Sequence, residues 1–291
     1  MSGDGGAVRE PAVAGSFYPA SADGLLQVVD GLFAQALAPV AGPARLGALV
    51  PHAGLVYSGV VAASGWRVLL DGAGSSPTVV ILGTNHSAWF EGAAVYEAGA
   101  WRTPAGDAPV DEDVAGRILQ LGDPFAASRD AHRDEHSIEV QLPVLLAVRP
   151  HARIVPCSVS AGTGRAAVGA GERLGALLAA LRTEGRDVLL AISTDMAHYP
   201  PHEEAVRVTE RLAPAITALD PSALARLEAA EAGSGALGMA CGMCGVQPTV
   251  LGLAALRAMG ARAGTVVATA TSADAGGDPH RTVGYLAVSF A

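Results

Sequence analysis

The chain has 291 residues, half of them hydrophobic, and carries a formal net charge of -9. All 19 basic residues are arginine, and this balance offers no basic patch for nucleic acid or for an anionic membrane surface. The 3 cysteines are too few, and odd in number, for a disulfide framework, and no apolar run reaches the ~18 residues of a membrane span.

A chain of this length buries roughly three quarters of its unfolded surface, so folding requires neither a disulfide nor a structural metal. Its first ten residues are Gly-rich and charged. They show no basic segment followed by an apolar one, so no secretory signal is expected and the location is expected to be cytoplasmic. Residues 1–8 are expected to be disordered, and the whole of 1–291 is read as one domain.

The first predicted helix starts from a Ser21 cap and runs to 37, with Leu25, Val28, Val29, Leu32 and Phe33 on its buried side. A strand over 46–50 stops at Pro51, a helix follows over 59–70, and a strand over 78–82 stops at Gly83. Helices are predicted over 111–121 and 137–148, with Pro143 kinking or breaking the second. A strand over 153–159, a helix over 166–181 and a strand over 187–192 come next. Helices over 203–219, 222–231 and 246–259 precede strands over 264–270 and 283–290, and residues 229–238 read as the mobile loop. Continuous apolar runs mean strands covered on both faces. Alternation of strand and helix throughout predicts a single three-layer α/β/α domain on a mainly parallel, mixed sheet. No repeat of fixed period is visible, and the Gly/Ala-rich stretch 162–171 is too short for an inter-domain linker.

His52, His86 and the pair Asp195/His198 each follow a predicted strand directly. Ligands of open α/β sheets bind beyond the carboxyl ends of the strands, so three strands deliver ionisable groups to one edge. Singly, a strand-end histidine is as well explained by a bond to a loop carbonyl; two of them repeating one geometry favour metal ligation by neutral imidazole. Asp195 and His198 stand three apart, close enough for the carboxylate to orient the imidazole as an acid/base group, although Asp195 could equally cap the next helix. Glu135 and Glu139 sit four apart around a helix start and so share a helical face, and acidic residues at a helix start also simply favour the dipole; His136 beside them is a candidate pocket residue. Cys241 and Cys244 form a Cys-x-x-Cys pair, compatible with a redox couple, half a zinc site or two buried thiols. A cysteine just before a helix N-terminus is expected to have a lowered pKa. His132, His151, His202 and His280 read as surface residues.

Several segments, in order, resemble the Memo family, whose bacterial and archaeal members are called AmmeMemoRadiSam system protein B. They are residues 9–19, Pro51-His52-Ala53-Gly54 with Tyr57-Ser58-Gly59, and Leu82-Gly83-Thr84-Asn85-His86. Then come Trp101-Arg102-Thr103-Pro104, Glu135-His136-Ser137-Ile138-Glu139 with Gln141-Leu142-Pro143, residues 193–198, and Cys244-Gly245 with Pro248. The family fold is similar to that of class III extradiol dioxygenases, which hold non-haem iron with two histidines and a carboxylate; in Memo-like proteins a cysteine takes the carboxylate's place. The resemblance implies a metal held by His52, His86 and Cys244, with His198 at the acid/base position, Asp195 beside it and His136 as a further pocket histidine. Cys241 stays open as a competing ligand or as a disulfide partner of Cys244.

Two imidazoles and a thiolate suit iron or copper, and, with an open fourth position, zinc. The expectation is one metal ion, iron or copper ahead of zinc, serving a redox enzyme that acts on an unidentified small molecule. A non-catalytic metal-binding scaffold and a zinc hydrolase are the alternatives. The resemblance also implies partners in trans, an AMMECR-type protein and a radical S-adenosylmethionine enzyme.

Overall fold

The computed structural model describes residues 8–38, 43–161, 164, 166–233 and 238–291. Strand β1 (Val8–Arg9), helix α1 (Ala22–Gln35), strand β2 (Gly47–Val50), helix α2 (Leu55–Leu69) and strand β3 (Thr78–Thr84) come first. They are followed by β4 (Ala93–Val95), β5 (Ala100–Thr103), β6 (Gly106–Pro109), α3 (Glu112–Leu119), β7 (Phe125–Ala127), α4 (Gln141–Val148) and β8 (Arg153–Val159). The rest is α5 (Ala166–Thr183), β9 (Val188–Ser193), α6 (His202–Thr217), α7 (Pro221–Ala232), α8 (Val246–Met259), β10 (Gly264–Thr271) and β11 (Gly284–Phe290).

Eight strands form one sheet in the order β10-β11-β2-β9-β3-β8-β4-β7. The four at its centre, β2, β9, β3 and β8, are mutually parallel. Antiparallel pairs join β2 to β11, β11 to β10 and β8 to β4. Every residue of β2, β3 and β9 is buried, as strands with helices on both faces must be. Val50 pairs with Ser193 and Leu49 with Ile192, so each pair points to one face. α2 approaches so closely that a side chain at its Gly65 would strike Val50, whereas Gly252 of α8 meets Ile192. α2 and α8 therefore cover opposite faces: the α/β domain has helices on both sides of a mixed, mainly parallel sheet, as expected.

Several features depart from the sequence reading. A small second sheet, β1-β5-β6, carries the N-terminal segment, and its strands are too short to show a period. β10 is only partly covered; it is an edge strand, and Val266 on it is exposed. α2 starts four residues early, because Gly59 is no break but the point where Leu32 of α1 packs within 2.6 Å of where a Cβ would stand. α4 starts four residues late, at Gln141, so Glu135 and Glu139 share no helical face. Pro143 then lies in the first turn, where no backbone N–H is required, and it neither kinks nor breaks the helix. Of the predicted mobile loop, residues 229–232 close α7 and 234–237 lie outside the described residues. Val8, expected to be disordered, pairs with Ala100, while 1–7 lie outside the described residues.

Both glutamates are fully buried and hold the 133–140 segment out of helix. Glu139 accepts from Arg9 Nη1 and Tyr18 Oη, each at 2.5 Å, and from the backbone N–H groups of Ala12 and Val13. Arg9 in turn stacks 4.1 Å over Trp101 and donates to the carbonyls of His132 and Glu135. The N-terminal segment is thereby bolted against the loop that precedes α4. His132 is also no surface residue: it is fully buried beside Tyr96 and Trp101, and its Nε2 meets the Ala94 carbonyl at 2.9 Å.

Burial holds the His132 pKa down to about 4, below the ordinary value of 6.5. A folded pKa below the unfolded one means the unfolded chain binds the extra proton first. The stability that neutral His132 contributes is therefore complete above pH 6.5 and is lost as pH falls toward 4. The difference is on the order of 3 kcal/mol. His132→Gln keeps a donor for Ala94 and does not titrate. Urea unfolding at several pH values should show a shallower loss for the variant across that window; parallel curves would contradict a buried neutral imidazole.

Candidate metal centre

β2, β9 and β3 lie side by side and all run the same way, so their carboxyl ends open on one crevice. β2 ends at Val50 and delivers His52, β3 ends at Thr84 and delivers His86, and β9 between them delivers residues 194–198. α8 runs back along the sheet and brings Cys244 to the same edge just before its first turn. Gly245 makes this approach possible: a Cβ there would stand 2.5 Å from Thr194 and 2.6 Å from Thr84 Oγ1. Its N–H donates instead to Thr194 Oγ1 at 2.9 Å.

One ligand atom each from His52, His86 and Cys244 lies within 4.8 Å of the others. Cys244 Sγ is 3.3 Å from His52 Nε2 and accepts the Asp195 N–H at 3.3 Å. His136 completes a cluster of imidazoles: its ring stacks on His86 with centroids 4.6 Å apart and meets His52 edge-on at 5.5 Å. Phe17 closes the other side of His136 at 4.8 Å. A cavity of about 270 Å³, lined by Thr84, Asn85, Glu228 and Gln247, reaches Cys244 from outside. A larger one, of about 870 Å³, lies among α1, α2 and β10 and touches none of the three donor residues.

The cluster disfavours its own charges. Burial, then the neighbouring His86 and His136, pushes His52 well below the usual imidazole pKa. Burial also lowers His136, and brings His198 to about 4. The Cys244 thiol is raised, by burial first and by Asp195 next. The expected lowering by a helix N-terminus is thus overturned: desolvation of the thiolate outweighs the partial charge of the helix end. A divalent cation reverses that balance, because it stabilises a thiolate and needs its imidazoles neutral.

Asp195 and His198 do not hydrogen-bond as expected. His198 Nε2 is 4.0 Å from Asp195 Oδ2, and nothing among the described residues bonds it. Asp195 accepts the backbone N–H of His52 at 2.7 Å, together with that of Ala53, so it ties the β2 loop to the β9 loop. Burial raises its pKa to about 7. His198 is placed by its backbone, through Cys241 and Val283, and the next residue, Tyr199, takes a left-handed φ of 72°. That conformation is costly for a bulky side chain. The Tyr199 N–H bond to Thr282 at 2.6 Å and the Arg281 guanidinium 4.3 Å over its ring hold it.

The model of the family described as Memo-like protein matches residues 9–289. The chain belongs to the Memo-like family. A MEMO1 family protein of Methanopyrus kandleri is 37% identical over 290 residues, covering 97% of this chain and 98% of that one. One of Aquifex aeolicus is 36% identical over 285 residues, with 97% and 99% covered. An uncharacterized protein of Escherichia coli K12 has a similar fold at 18% identity, with a TM-score of 0.57 over 84% of this chain and 99% of that one.

In this Memo-like chain the Cys-x-x-Cys pair divides. Cys244 joins the histidines; Cys241 is half-buried, its backbone bridges to His198, and both cysteines are free thiols. A second trio, His86, Glu135 and His136, also gathers donor atoms. Its carboxylate is already saturated: Glu135 accepts from His86 Nδ1 at 2.9 Å, from the N–H groups of His86, His136 and Ser137, and from Ser87 Oγ. These bonds hold its carboxyl well below the ordinary range despite burial. Glu135 is therefore the carboxylate that orients His86, fixing its proton on Nδ1 and leaving Nε2 free. The sequence reading missed it by treating it as a helix-dipole residue. Ser193, 3.0 Å from His52 Nδ1, was likewise passed over because it closes an apolar strand.

If Cys244 is the sulfur donor, Cys244→Ser lowers bound metal far more than Cys241→Ser, which leaves it near wild type. Elemental analysis of the two variants purified in parallel checks this, and equal losses would remove Cys244 from the assignment.

Proposed function

We propose that this protein is a metal-dependent redox enzyme acting on a small molecule, with one iron or copper ion held by His52, His86 and Cys244. The observation that carries the reading is the convergence of two strand-end imidazoles and a thiol beside two further uncharged histidines, His136 and His198, which a simple metal carrier does not need. The donor set fits such an ion. With metal–sulfur near 2.3 Å and metal–nitrogen near 2.0 Å, tetrahedral angles place sulfur and nitrogen about 3.5 Å apart. Cys244 Sγ and His52 Nε2 are 3.3 Å apart.

A bound ion of this kind supplies a redox-active centre with open coordination positions. Around it, Glu135 orients His86, Ser193 meets His52, and the Asp195 N–H supports the thiolate. His198, with its pKa brought to about 4 by burial, is neutral at pH 7 and acts as a proton acceptor rather than a fixed cation. His136, stacked on His86 and backed by Phe17, lines the cluster. The resemblance to class III extradiol dioxygenases motivates the reaction class, but a thiolate is a stronger donor than a carboxylate and is itself oxidisable, so ring cleavage is not part of the proposal.

A zinc hydrolase using the same three ligands is favoured by the same open position. Cytoplasmic location, and action in trans with an AMMECR-type protein and a radical S-adenosylmethionine enzyme, complete the reading. No helix among the described residues is long and apolar enough to cross a membrane.

Elemental analysis of protein purified without a histidine tag, beside His52→Ala, tests the proposal. Near-stoichiometric iron or copper that disappears in the variant supports it; zinc moves the reading to hydrolysis. No metal, and none taken up anaerobically with reductant, overturns both. His198→Ala is expected to retain the metal and to abolish turnover of any small molecule the wild type consumes. Loss of the metal in that variant would instead put His198 among the ligands.

A further inference from the structure

We infer that Trp66, Gln141 and Ser193 form a buried relay that holds the proton of His52 on Nδ1 and turns an unprotonated Nε2 toward Cys244. All four side chains are essentially inaccessible to solvent. Each link follows from groups that have only one hydrogen-bonding role. The Trp66 indole N–H can only donate, and it meets Gln141 Oε1 at 2.8 Å. That sets the amide with Nε2 on the other side. There Nε2 donates to the Pro51 carbonyl at 2.8 Å, an acceptor only, and to Ser193 Oγ at 2.9 Å. The single Ser193 hydroxyl proton goes to the Ser137 carbonyl at 2.6 Å, again an acceptor only. Ser193 Oγ therefore has nothing left to donate to His52 Nδ1, 3.0 Å away, and can only accept from it. The imidazole must carry its proton on Nδ1, and its Nε2 lone pair faces Cys244 Sγ at 3.3 Å.

The relay links three elements that surround His52. Trp66 lies on α2, Gln141 opens α4 and Ser193 ends β9, so the strand that carries the 194–198 loop also orients the histidine from the neighbouring strand. His86 is oriented in the same sense by different chemistry, an ionised carboxylate. A neutral hydroxyl at His52 avoids a further anion next to buried Asp195. Trp66, Gln141 and Ser193 bond to none of the three donor atoms of the cluster and are positioning residues.

The consequence for metal rests on the ligand set proposed above, whereas the tautomer does not. The experiment separates them. In metal-free wild-type protein labelled with ¹⁵N-histidine, NMR should find the His52 proton on Nδ1, with His52→Ala used to assign the ring. Ser193→Ala removes the acceptor: the ring should then shift toward protonation at Nε2, and Zn²⁺ affinity, measured against a chromophoric chelator, should weaken about 10–100-fold. Trp66→Phe removes the indole donor but keeps an aromatic ring and the Pro51 anchor, and should weaken Zn²⁺ binding less than Ser193→Ala. A His52 proton on Nε2 in the wild type overturns the inference without any variant, and so does unchanged Zn²⁺ affinity in folded Ser193→Ala. Should the wild type bind no Zn²⁺, the ligand set fails while the NMR result still decides the relay.

Discussion

Two carboxylates that see no water, Glu135 and Glu139, set the arrangement of this end of the molecule. An ionised carboxylate in the interior is tolerated only when donors surround it. Glu139 finds them in Arg9, in the Tyr18 hydroxyl and in the backbone of residues 12 and 13. Glu135 finds them in His86 and in the backbone of its own loop. The segment between them does not continue α4 while serving both, and instead forms a wall of turns at the crevice. That wall presents His136 to the pocket, and the N-terminal segment pinned to it brings Phe17 against the same ring.

The same dryness governs the chemistry. His52, His136 and His198 are all held neutral by burial, and the thiol of Cys244 is held protonated. Such a pocket has the ligands of a cation, with Glu135 behind His86 and Asp195 beside the His52 backbone as the nearest carboxylates. A metal would displace the thiol proton of Cys244, which would make uptake dependent on pH and coupled to proton release. The two histidines differ in support. His86 leans on an anion, whereas His52 leans on a hydroxyl whose own proton is committed elsewhere. Orientation of both rings is thus settled before any ligand arrives, which lowers the ordering cost of binding.

The strand ends were legible because burial on both faces leaves an unmistakable apolar run, and because His52, His86 and residues 195–198 sit immediately after such runs. Helix α8 was read to the residue, since Gly245 and Gly260 bracket a continuous apolar helix. The short strands β4 to β7 were not legible; segments of three or four residues carry too little pattern. The start of α4 was misread for a physical reason. Glu135 and Glu139 have helix-compatible spacing, and only their buried partners, more than a hundred residues away for Arg9 and Tyr18, draw them out of it. His132 was misread for the same reason, because a lone histidine between charged residues gives no sign of the Tyr96 and Trp101 rings that enclose it.

The sequence alone determined the α/β class, the alternation of elements, the family and the pairing of His52 and His86 with one cysteine of the Cys241/Cys244 pair, because these depend on local periodicity and on motifs of a few residues. It could not decide which cysteine joins the histidines, how Asp195 is used, or what orients each imidazole. Those answers depend on side chains brought together from β2, β9, β3, α4 and the segment before α8. A hydrogen bond between Asp195 and the His52 backbone, or between Ser193 and the His52 ring, joins residues more than 140 positions apart, and only the packed sheet sets their distance.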